Sequence, residues 1–148
     1  MDEMTARDLY DRDFFEWTVR NAELLRAGRL TEADIDHIAE EIEDMGKSQQ
    51  REMWSRQEVL LKHLLKWRLQ PEKRSRSWRA TINTQRRRIS RLLGQMPTLR
   101  GTLDQSLAQI YADAVSGAAD ETGLLKKCFP ETCPFTIDQL LDEEFFPG

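Results

Sequence analysis

Seven arginines, Arg74, Arg76, Arg79, Arg86, Arg87, Arg88 and Arg91, fall with Lys73 inside the 19 positions 73–91. A guanidinium is a planar fork of donors that grips phosphate or carboxylate through two parallel hydrogen bonds, which a lysine ammonium cannot do. Arginine at this density, with a single lysine, therefore points to anion recognition more than to general solubility. The wider block 59–100 carries 12 Lys/Arg against the one acid Glu72, a net of +11, whereas blocks 1–30, 31–58 and 101–148 carry −2, −6 and −7. The whole-chain charge of −4 hides this segregation. The seven arginines are the candidate anion-binding residues, and nucleic acid or an acidic protein is the partner their chemistry fits. A second reading has equal physical standing: the acids of 31–58 and 101–148 pair with the arginines, within the chain or across a homodimer. The acidic total also opposes non-specific affinity for a polyanion.

Other chemistries find too few residues. The seven glycines form no Gly-rich phosphate-binding run. Two cysteines, Cys128 and Cys133, and two histidines, His37 and His63, are too dispersed for a zinc site. A di-iron bundle needs Glu-x-x-His on two helices, but Asp34-x-x-His37 is one imperfect copy and His63 has Leu60 where the acid belongs. His37 falls opposite Ile35 and Ile42 on the helical wheel and is expected to face water. Glu40, Glu41, Glu43 and Asp44 fan around a polar arc instead of converging on a cation. There is no Gly-x-Ser-x-Gly elbow, and no residue set identifies a reaction, so the reading leans away from an enzyme and assigns no catalytic residue, metal or cofactor. Trp67 and Trp78 could stack on bases, but their phase matches the leucine stripe and favours the core.

The elements that must position the arginines read as helices throughout. Leu occurs 18 times and Ala 11 times, while Val and Ile together reach 10, and unbranched side chains lose less rotamer freedom in a helix. A first helix is expected over about 11–27, with Tyr10, Phe14, Trp17, Leu24 and Leu25 on one stripe and Gly28 as its stop. Thr31 with Asp34 resembles a capping box opening a second helix, whose buried stripe would be Ile35, Ile38, Ile42 and Met45. That pattern runs on through Met53, Leu60, Leu61, Leu64 and Leu65 to Pro71, as one helix or as two kinked near Gly46. A third helix from about Ser77 turns Trp78, Ile82, Ile89, Leu92 and Leu93 inward. Its arginines occupy the opposite half, Arg79 and Arg86 nearest the apolar edge and Arg87, Arg88 and Arg91 deepest in the polar arc. A fourth runs from Thr98 to Gly123, and Thr136 with Gln139 caps a short last helix.

The expected architecture is all-α: one domain over 1–148, a bundle of four main helices plus a short C-terminal helix. No apolar run approaches the length of a membrane span, the first residues are polar, and two cysteines suit a reduced compartment, so a cytoplasmic protein with no membrane contact is expected. Surplus apolar faces on the second helix, and Phe145-Phe146-Pro147 without an evident partner, raise a homodimer as the alternative function class.

Several strings in order resemble one family. They are Tyr10-Asp11-Arg12-Asp13-Phe14-Phe15-Glu16-Trp17, Ile38-Ala39-Glu40-Glu41-Ile42 with Met45-Gly46, and His63-Leu64-Leu65-Lys66-Trp67 running to Gln70-Pro71. Ser77-Trp78-Arg79 with Thr81-Ile82 and Gln85-Arg86, Glu121-Thr122-Gly123-Leu124, and Phe129-Pro130 with Cys133-Pro134 complete the set. They resemble the bacterial family known only as domain of unknown function twenty-nine, over residues 10 to about 147. The resemblance implies a small helical protein and carries over no activity, cofactor or site residue.

Overall fold

The computed structural model describes residues 4–148, and among these there are six α-helices and no strand. The helices are α1 (Leu9–Arg12), α2 (Phe14–Arg26), α3 (Ile35–Leu69), α4 (Arg76–Gln95), α5 (Leu99–Thr122) and α6 (Ile137–Leu141). The chain gathers into two compact units, Met1–Ser48 and Gln49–Gly148. The α3 helix contributes to both and is continuous through Gly46, so the unkinked alternative holds.

In Met1–Ser48 the expected first helix is divided. Asp13 leaves the helical region (φ −151°, ψ 88°), and its carboxylate accepts the Glu16 amide at 3.1 Å, so α2 starts afresh behind an acidic N-cap. Gly28 ends α2 in the left-handed conformation (φ +72°), with its own amide donating to the Leu25 carbonyl and that of Arg29 to the Leu24 carbonyl. The second helix opens at Ile35 and not at Thr31, because the Asp34 side chain is drawn away from Thr31 into other bonds. The stripe expected to be buried on α3 is largely in water: Ile35, Ile42 and Met45 are 48%, 62% and 67% exposed.

In Gln49–Gly148 the apolar stripes meet. Met53, Leu60, Leu61, Leu64 and Leu65 of α3 pack in one cluster with Ile82, Ile89 and Leu92 of α4, Leu103, Ile110, Tyr111 and Ala114 of α5, and Ile137 and Leu140 of α6. Pro71 follows the end of α3, Ser75 caps α4 through the Trp78 amide at 3.1 Å, and Gly123 (φ +77°) ends α5. Gly117 allows α5 close to α3, since a Cβ there would sit 3.1 Å from Lys62 Cδ. Both Lys62 and Lys66 of α3 then reach Glu121 of α5, each at 2.9 Å. The capping box expected at Thr136 and Gln139 is formed in both directions.

Candidate anion-binding site

The arginines divide by what lies beside them. Arg74, Arg79 and Arg86 turn toward the C-terminal segment. Arg86 is fully buried; its Nε donates to the Leu140 carbonyl at 2.8 Å and its Nη2 to the Gln139 carbonyl at 3.2 Å. These carbonyls sit at the C-terminal end of α6, where a helix has no acceptor partners of its own. Burial holds this guanidinium below its ordinary pKa, with Asp142 and Glu143 opposing the shift. Arg74 donates from Nε to the Trp67 carbonyl at 2.8 Å and from Nη2 to the Pro147 carbonyl at 3.3 Å. Arg79 lies 4.5 Å from the centroid of the Phe146 ring and 5.3 Å from that of Trp67. Phe146 in turn packs on Trp67, and Phe145 on Phe135, so the tail that seemed partnerless in sequence is seated.

Arg76, Arg87, Arg88 and Arg91 are exposed on α4. At 100° per residue they span an arc of about 120°, with Arg87 and Arg91 one turn apart. No carboxylate comes within ion-pair distance of any of the seven arginines among the described residues. The nearest acidic surroundings are Glu143 and Glu144, which share a shallow recess with Asn83 and Arg87. Pairing with acids inside the chain is therefore not the arrangement of α4. The helix uses one edge to hold the C-terminal segment and presents the opposite arc, with four cations, to solvent.

A second constellation, in Met1–Ser48, was not legible as a unit. Asp34, 5% exposed, accepts the Trp17 indole N–H at 2.9 Å, and His37 Nδ1 lies 2.6 Å from the same oxygen. Burial acts to raise the Asp34 pKa, but the indole and imidazole bonds outweigh it and the carboxyl sits below its usual range. Asn21 completes the joint: its side-chain carbonyl accepts the Asp34 amide at 2.8 Å and its amide donates to the Trp17 carbonyl at 2.8 Å. The Tyr10 ring stacks on His37 with centroids 3.8 Å apart, and its hydroxyl donates to Glu41 at 2.5 Å, which with burial pushes the phenol up to about 12. His37 is thus half-buried under Tyr10, which corrects the expectation that it faces water. Four of these residues stand in or beside the strings around Tyr10–Trp17 and Ile38–Ile42, but no spacing rule links residue 10 to 37 or 17 to 34.

The sequence model of the family described as "Domain of unknown function DUF29" matches residues 9–146. The chain belongs to this family. No curated protein and no solved structure matches it. The DUF29 span takes in the α4 arginines and the Tyr10–Glu41 joint alike, so both belong to the family domain and not to an extension of it. Among the described residues of this DUF29 protein no helix is long and apolar enough to cross a membrane, and no three His, Cys, Asp or Glu side chains are grouped to hold a metal ion.

Proposed function

We propose that this DUF29 protein is a binding module that takes an anionic partner on the solvent-facing arc of α4, through Arg76, Arg87, Arg88 and Arg91. The observation that supports it is the exposure of these four guanidiniums without a carboxylate partner among the described residues. Their side chains hold no neighbouring element in place, unlike those of Arg74, Arg79 and Arg86; Arg87 reaches only Thr84, on its own helix, at 3.3 Å. Nucleic acid is the polyanion to test first, because four arginines along one face match a run of phosphates and each neutralised phosphate releases counterions.

The experiment is a salt titration of binding to DNA and RNA oligomers. Four contacts give a slope of log K against log salt of about −3 to −4 on duplex DNA, and Arg87→Gln/Arg88→Gln/Arg91→Gln together remove about three-quarters of it. The same triple variant keeps its stability within about 0.5 kcal/mol per position, as expected of surface charges away from structural contacts. Undetectable binding at about 50 mM salt removes nucleic acid and leaves an acidic protein surface as the partner. Unfolding of the triple variant would show instead that these arginines hold the fold.

A further inference from the structure

We propose that the α2/α3 face of Met1–Ser48 is a docking groove for an amphipathic helix with basic flanks, supplied by a partner protein. The groove has a volume of about 190 Å³ and is walled by Thr18, Ala22 and Leu25 of α2 and Ile38, Glu41 and Ile42 of α3. Val19 and Met45, 40% and 67% exposed, continue its apolar surface. The spacing on each wall is that of a helix seam. Ile35, Ile38, Ile42 and Met45 follow a 3-4-3 rhythm on α3, and Thr18, Ala22 and Leu25 a 4-3 rhythm on α2. Two parallel ridges of this kind leave between them the trough that accepts the apolar stripe of a third helix. Large apolar side chains in contiguous exposure are uncommon on a surface with no partner.

Charge chooses the occupant. Residues 1–48 hold 6 Lys/Arg against 14 Asp/Glu, a net of −8. Three of the six cations are already engaged: Arg7 with Asp36, Arg29 with Glu32, and Arg20 with the Met4 carbonyl. Around the groove Glu16, Glu23, Glu40, Glu43 and Asp44 are exposed, and Glu41 stands in its wall. A second copy would bring the same −8 against this rim, and like charges opposed across an interface are penalised. Lysine or arginine flanking an apolar stripe satisfies both the trough and its rim.

The probe is a designed peptide of about 18 residues with a leucine stripe and lysine flanks, titrated into the full chain. Two controls accompany it, a scramble of the same composition and a peptide with the same stripe and glutamate flanks. The lysine-flanked helix is expected to bind in the micromolar range and both controls at least about tenfold more weakly, with affinity falling severalfold from low to high salt. Ile42→Glu and Leu25→Glu, at sites 62% and 40% exposed, should keep helix content and weaken the peptide by about tenfold or more. The Arg87/Arg88/Arg91 triple variant should bind it unchanged, which separates this groove from the α4 surface. Equal binding of the scramble, no binding at about 100 μM peptide, or indifference to Ile42→Glu would overturn the proposal. So would a dimer by light scattering that Ile42→Glu dissociates, since a second copy would then be the occupant.

Discussion

Residues 49–148 bury 18 hydrophobic side chains in one cluster, whereas residues 4–48 bury four, Ala6, Leu9, Trp17 and Leu24. Nine of the ten large hydrophobics left exposed lie in the shorter unit, from Met4 to Met45, with Leu125 the remaining one. The two units also differ in sign, −8 for residues 1–48 and +4 for residues 49–148. The longer unit is held by apolar burial, to which Arg86 adds a buried charge bonded to carbonyls. The shorter one is joined by polar bonds and ring contacts, Tyr10 to His37 and Glu41, and Trp17, Asn21 and His37 to Asp34. A small unit cannot enclose enough apolar surface to stand on burial alone. A directional joint fixes its geometry while its apolar faces stay open.

The comparison is broken most sharply by truncating the same kind of side chain in each unit. Leu64→Ala, at a site with no exposure, should cost about 2–5 kcal/mol in chemical denaturation, because it removes contacts and leaves a cavity. Ile42→Ala, on the open α3 stripe, should cost about 0.5 kcal/mol or less. Equal losses would show that the α3 stripe is covered in solution. Next in size is Asp34→Ala, which strands the Trp17 indole and removes the acceptor at the head of α3, for about 1–3 kcal/mol. Amide exchange locates the loss: protection should fall over 14–26 and stay unchanged at 60–65. A uniform fall would mean that the two units open together.

The smallest effect expected is on pH. Hydrogen bonds from Lys62 and Lys66 hold the Glu121 carboxyl down at about 2 against an ordinary 4.5. A carboxylate with a depressed folded pKa stabilises above its unfolded value, so this contribution is complete above about 4.5 and is lost as pH falls toward 2. The Glu121 side chain is 44% exposed and screened by water, which limits the loss to about 1 kcal/mol or less. Wild type and Glu121→Gln should therefore differ in stability at pH 6 and converge near pH 2; a difference that persists at pH 2 would sink the assignment.

What was legible in the sequence follows from the same contrast. Period and capping chemistry are local, so the all-α class, the stops at Gly28 and Gly123, the Thr136–Gln139 box and the inward face of α4 could all be read in advance. The arginines nearest the apolar edge, Arg79 and Arg86, could be told from Arg87, Arg88 and Arg91 by phase alone. Period does not say what covers a stripe. Ile35, Ile42 and Met45 carry the same signature as Leu61 and Leu65, and only the tertiary arrangement separates them. Asp34 was misread for a related reason, since a short acid beside a helix start has several acceptor roles and the winning partner, Trp17, lies 17 residues away. The tail was illegible too, because a ring that packs beneath an arginine more than 60 positions earlier leaves no periodic trace.

That distant closure bears on the order in which the chain acquires its form. Arg86 bonds carbonyls 53 and 54 positions later, and Arg74 one 73 positions later. The helices can arise from neighbours in sequence, but these bonds demand the closing of long loops, whose entropic cost precedes any gain. Until residues 139–147 arrive, Trp67 lacks its Phe146 cover and Arg86 stays hydrated. In a chain growing from its N-terminus, the basic helix is made well before the segment that completes it.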